Sequence, residues 1–119
     1  MKYTYFILFI SFILLSSFQT ENDKLLIGHW KRSNYDSSCD CYNYIKVPNL
    51  KDRQLGYHFQ KEGRIIANLC TDMCGCMARP FEGVWSLKGS KLSMSIKNRG
   101  KFNLTLKVIN RHQIQLRFD

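Results

Sequence analysis

KLSMSIKNRGKFNLTLKVINRHQIQLRF, residues 91–118, carries the reading that decides the fold. Leu92, Met94 and Ile96 alternate with Ser93, Ser95 and Lys97. Phe102, Leu104, Leu106 and Val108 alternate with Asn103, Thr105 and Lys107, and Ile114, Leu116 and Phe118 with Gln113, Gln115 and Arg117. A period of two is that of a strand with one face buried. Asn98-Arg99-Gly100 and Asn110-Arg111-His112 separate the runs and are rich in residues that tolerate positive φ. Closed as three-residue hairpins, they pair Ile96 with Phe102, Met94 with Leu104 and Leu92 with Leu106, then Val108 with Ile114, Leu106 with Leu116 and Leu104 with Phe118. The apolar rungs Leu92-Leu106-Leu116 and Met94-Leu104-Phe118 are backed by the polar rungs Lys91-Lys107-Gln115 and Ser93-Thr105-Arg117. A one-residue slip would turn every apolar side chain into water, so the three strands form an antiparallel meander.

The same pattern recurs upstream. Leu55, Tyr57 and Phe59 lead into Lys61-Glu62-Gly63, and Ile65, Ala67 and Leu69 return, pairing Phe59 with Ile65 and Tyr57 with Ala67. A strand from Phe81 to Leu87 turns at Lys88-Gly89-Ser90 into the Leu92 strand, and a first strand runs from Ile27 to about Asn34. Pro48 and Pro80 fall between candidate strands, and no stretch has a helical period. The expected fold is all-β: a small antiparallel up-and-down barrel of seven to eight strands, whose closure removes sheet edges. Tyr42 to Val47 reads either as an eighth strand or as a loop.

Residues 1–20 have the order of a secretory signal peptide: Lys2, an apolar run from Tyr3 to Leu15, then the small and polar residues Ser16 to Thr20. Tyr3 to Phe18 is short for a membrane span and interrupted by Thr4, Ser11, Ser16 and Ser17. The expectation is therefore an exported chain, secreted or periplasmic, with no transmembrane segment in its mature form and no lipidated N-terminal cysteine. Residues 21–119 form one domain, since so short a chain cannot build two cores.

Without its leader the domain has 17 Lys+Arg against 9 Asp+Glu, a net charge of +8. From Gly83 to Phe118 there are eight basic residues and no acid. Spread along strands, they read as a solvated barrel exterior, with attraction to an anionic surface or acidic protein as the alternative. Nucleic acid is not expected of an exported protein.

Leu26-Ile27-Gly28-His29-Trp30, Tyr57-His58-Phe59 with Glu62-Gly63, Gly83-Val84-Trp85-Ser86-Leu87 and Lys91-Leu92 resemble the small lipocalin-like (calycin-type) domains of exported bacterial proteins. The resemblance covers residues 25–119. It implies a barrel in which Gly28 and Trp30 open the first strand and the tryptophan closes one end. It also implies a ligand-binding role, although the domain is shorter than an ordinary lipocalin and its inward positions are large enough to fill it.

Five cysteines stand in two groups, Cys39 and Cys41, then Cys70, Cys74 and Cys76. In an exported chain they read as disulfide candidates that compensate for a small core. Two cysteines one residue apart bridge each other only with strain, so Cys39 and Cys41 are expected to reach the second group. A full barrel strand at Tyr42–Val47 would put the groups at opposite ends, whereas a long excursion from Ser33 to Gln54 leaves them at one end, so the disulfide reading favours seven strands and a loop there. The related domains likewise imply a cysteine before the central hairpin paired with one after it. One cysteine is left over. The alternative is a thiolate site for Cu(I) or Zn(II) formed by the same five residues, and a minor third reading is thiol exchange.

No cofactor motif and no converging acid, base or nucleophile is found, so an enzyme is not expected. Asp40 and Asp72 read as turn residues, and His29 and His58 as outward strand positions. Asn103-Leu104-Thr105 matches a glycosylation sequon in mid-strand. Two function classes remain: a binding module for a small apolar ligand or for a partner at the barrel mouth, and an interaction protein of the protease-inhibitor kind. An apolar void above about 300 Å³ would favour the first. A packed interior with an exposed, ordered segment from Glu21 to Lys24 would favour the second.

Overall fold

The computed structural model describes residues 23–51, 53–70 and 78–119. The expected leader, Cys74 and Cys76 lie outside them. Eight strands, β1 (Gly28–Asp36), β2 (Cys41–Val47), β3 (Gly56–Phe59), β4 (Arg64–Cys70), β5 (Ala78–Lys88), β6 (Lys91–Ile96), β7 (Gly100–Asn110) and β8 (Gln113–Phe118), close into a barrel. Every neighbouring pair is antiparallel.

Strands β3 to β8 follow one another as the meander read from the sequence. Before them the order is transposed: β1 pairs with β3, and β2 lies on the far side of β1, where it closes the barrel against β8. Tyr42–Val47 is therefore a barrel strand, which corrects the expectation of a loop. The chain from Pro48 to Leu55 makes the transposition possible by returning along β1, where the Arg32 amide donates to the Leu55 carbonyl (2.9 Å). Because β3 then runs in the same direction as β2, the β1–β2 turn and the end of β4 share one end of the barrel. The parity argument against a strand assumed consecutive order, and the return of 48–55 removes that assumption.

Most registers follow the apolar pattern. Val108 faces Ile114, Leu106 faces Leu116 and Leu104 faces Phe118; Phe59 faces Ile65 and Tyr57 faces Ala67. The β6–β7 hairpin is two residues tighter than expected: Met94 faces Phe102, Leu92 faces Leu104 and Ile96 faces Gly100. A shift of two leaves every side chain on its own face, so hydrophobic patterning cannot detect it. Asn98 (φ 66) and Gly100 (φ 98) carry the left-handed conformations of this turn. Pro80 lies inside β5 rather than before it, at a level paired with β4 but beyond the end of the β6 ladder, where a missing N–H is tolerated.

The interior is filled by fully buried Trp30, Tyr44, Phe59, Ile65, Leu92, Leu104, Ile114 and Leu116. One end of the barrel is closed around Leu26. A helical turn at 23–26 lies under the barrel, Leu26 is fully buried, and the Trp30 indole N–H donates to the Leu26 carbonyl (2.8 Å). Gly28 (φ 137) opens β1 in a conformation that side chains rarely adopt, and a Cβ there would press on the Lys46 side chain, which lies over the Trp30 ring.

Candidate functional site: the barrel mouth

The opposite end is built differently. Tyr35 at the end of β1, Tyr42 at the start of β2, Phe118 at the end of β8 and Phe102 at the start of β7 form one continuous aromatic ladder. Its ring centroids are 5.1, 6.5 and 6.2 Å apart in that order. Tyr35 and Phe118 are 49% and 43% exposed, whereas Tyr42 and Phe102 pack onto the core below. Across the rim, Arg99 in the β6–β7 turn lies over the Phe81 ring (5.3 Å) and donates to the Cys70 carbonyl (2.7 Å).

A bulge in β1 aims this rim. Arg32 faces Tyr44 and Tyr35 faces Tyr42, so three steps on β1 oppose two on β2. The extra residue brings Tyr35 onto the same inward face as Arg32, which strict alternation would not do.

Arg32 is the unusual residue. It follows the inward parity of Trp30, its guanidinium stacks over the Tyr42 ring (4.4 Å), and its Nε is buried without a hydrogen-bond partner. Beneath it the Tyr44 and Tyr57 rings lie 5.5 Å apart, both almost fully buried. Burial pushes the Tyr44 hydroxyl up in pKa while neighbouring Arg32 and Tyr57 pull it back. Tyr57 is pushed far up by burial and then by Tyr44. Both hydroxyls are therefore neutral, and they act as neutral hydrogen-bonding groups beside a permanent cation. Among the described residues the ion pair is Lys91–Asp119, on the outer face, and no carboxylate answers Arg32.

The sequence-level candidates are placed as follows. Gly28 and Trp30 meet at the closed end. Cys39 and Cys41 lie in and beside the β1–β2 turn with their sulfurs in contact and Cα atoms 5.2 Å apart, so the expected reach toward the second group is not what is found. The tight turn brings them together: the Asp36–Cys41 pair ends the ladder, Asp40 takes a left-handed conformation (φ 51), and Tyr35 donates to Asp40. Cys70, at the end of β4, is disulfide-bonded as well. Cys74 and Cys76 are outside the described residues, and among those described no three His, Cys, Asp or Glu side chains converge as metal ligands.

His29 and His58 face each other across β1 and β3 and stack at 3.7 Å. Burial, and then His29, hold His58 below the usual imidazole range. Two grooves of about 420 and 360 Å³ lie on the outer face of β4–β7, lined among others by Arg64, Glu82 and Lys97, and by Ser86, Ser93 and Ser95. They exceed the volume set for a ligand void but lie outside the barrel. Among the described residues no helix is long and apolar enough to cross a membrane.

The sequence reading missed Arg32, Tyr42, Tyr44 and Tyr57. One signal could have raised Arg32: a charged residue two positions after an inward tryptophan on the same strand. No family model, no curated protein and no solved structure matches this chain, so the closed eight-stranded antiparallel barrel is what it can be assigned to.

Proposed function

We propose that this chain is an exported, lipocalin-like binding module that captures at its mouth a small ligand with a flat apolar body and a negative charge. The observation that carries the reading is Arg32, a cation facing into the barrel beneath an aromatic rim, with no acidic partner among the described residues. A partly buried guanidinium without a carboxylate is costly, and a ligand carboxylate, sulfonate or phosphate would complete it. Tyr35, Tyr42, Phe102 and Phe118 offer ring faces to the ligand body. The filled interior below limits insertion to the rim and the layer of Tyr44, so a compact aromatic group fits better than a long chain.

The protein-partner alternative has one supporting observation, the packed interior. Its other requirement concerns Glu21 to Lys24, of which residues 21 and 22 lie outside the described residues, while Asp23 is half-buried and Lys24 exposed.

Titration with 8-anilinonaphthalene-1-sulfonate and with neutral N-phenyl-1-naphthylamine tests the reading. The sulfonate is expected to bind at least about tenfold more tightly, and Arg32→Met to remove the difference. Equal affinity for the two probes in the unaltered protein would overturn it. Native mass spectrometry of protein from its own host would then identify the retained ligand.

A further inference from the structure

The Cys39–Cys41 pair makes little sense as a fold staple. Chain-entropy stabilisation grows with the length of the loop closed, and these two cysteines are only two residues apart in sequence. The turn is moreover held without it, by the β1–β2 ladder, by Tyr35 on Asp40 and by Ser38 on Asp36. The sulfurs also lie in a chemically distinct place. Cys41 is at an outward position of β2, only 3% exposed, and Cys39 is half-buried. With Thr105 and Lys107 of β7 and Gln115 and Arg117 of β8 they line a groove of about 130 Å³ on the outer face. Two exposed cations border it, and no acid is among its lining residues; the Asp119 carboxylate beside Thr105 is held by the Thr105 hydroxyl and by Lys91. The turn's own acids are engaged elsewhere, Asp36 with Ser38 and Asp40 with Tyr35.

We propose that Cys39 and Cys41 form a thiol–disulfide exchange site selective for small anionic thiols. An incoming thiolate attacks Sγ of Cys39, the more accessible sulfur. A new bond forms between it and Cys39, the Cys39–Cys41 bond breaks, and its electron pair leaves on Cys41 as a thiolate facing Lys107 and Arg117. A second thiolate then attacks the incoming sulfur, releasing Cys39 as a thiolate, and both cysteines take protons from water. In balance, two thiols become one disulfide and Cys39–Cys41 becomes a dithiol. The neighbouring cations hold the leaving thiolate and concentrate the anionic reactant. This reading is independent of the mouth site: the groove is on the outer face and shares no residue with Arg32 or the aromatic rim.

The test is a charge series on the native full chain. Reduction of the pair by 2-mercaptoethanesulfonate, 2-mercaptoethanol and cysteamine is followed by alkylation and peptide mapping, which separates Cys39 and Cys41 from Cys70. At equal thiolate concentration the expected order is anionic, neutral, cationic, with about threefold to tenfold between steps at low salt. Lys107→Gln with Arg117→Gln, both at exposed positions, should collapse the order while leaving the circular dichroism spectrum unchanged. Rates independent of thiol charge, or two free thiols at Cys39 and Cys41 in the native protein isolated without reductant, would overturn the proposal.

Discussion

Arg32 carries the proposed chemistry of the mouth, and burying its charge is expected to cost the fold stability. Its guanidinium is stacked on Tyr42 with Nε lacking a partner, so part of its hydration is lost without replacement. Arg32→Met keeps much of the apolar stem and removes the charge. The variant is expected to be more stable by about 1 kcal/mol while losing preference for an anionic probe. Urea denaturation beside the probe titration checks both. A variant destabilised by more than about 1 kcal/mol would mean that Arg32 serves the fold through its contacts with the tyrosines.

At the scale of elements, the decisive feature is the transposed β1–β2 hairpin. It requires the chain after β2 to return along β1 and β3 to join β1 closely, which happens at Gly56 opposite Lys31. A Cβ at Gly56 would run into the Trp30 carbonyl oxygen and press on the Leu50 side chain. Gly56→Ala is therefore expected to cost about 2–3 kcal/mol, seen as a lowered denaturation midpoint with an unchanged m-value. A neutral Ala variant would show that β3 approaches β1 less closely. The transposition also brings β2 against β8, which puts Cys41 beside Arg117 and Tyr42 beside Phe118. Both proposed sites depend on that one pairing, although they lie on opposite faces of the strand.

For the whole molecule, the two ends are built differently. One is sealed by Leu26 and Trp30, and the other is rimmed by aromatic rings among the described residues. Sealing is worth as much as any core contact: Leu26→Ala removes a fully buried side chain and should destabilise by about 2–4 kcal/mol. Because the lost atoms are at the far end from Arg32, probe affinity in the folded variant is expected to stay within about twofold. A large loss of affinity under conditions where the variant is fully folded would show that the ends are coupled.

Period-two alternation was enough to determine an antiparallel meander, the inward set of β3 to β8, and the registers at Val108–Ile114 and Phe59–Ile65. These are local consequences of side-chain direction on a pleated strand. Three things were decided only by tertiary structure. The β6–β7 register differs by two residues, which patterning cannot detect. The order of β1 and β2 depends on where the 48–55 connection goes, and alternation does not encode strand adjacency. The mouth needs a bulge to turn Tyr35 inward and four chain-distant strands to join Tyr35, Tyr42, Phe102 and Phe118. Long-range pairing thus converted scattered aromatics, one inward arginine and two neighbouring cysteines into candidate sites, because sequence specifies which way a side chain points while closure of the barrel specifies what it meets.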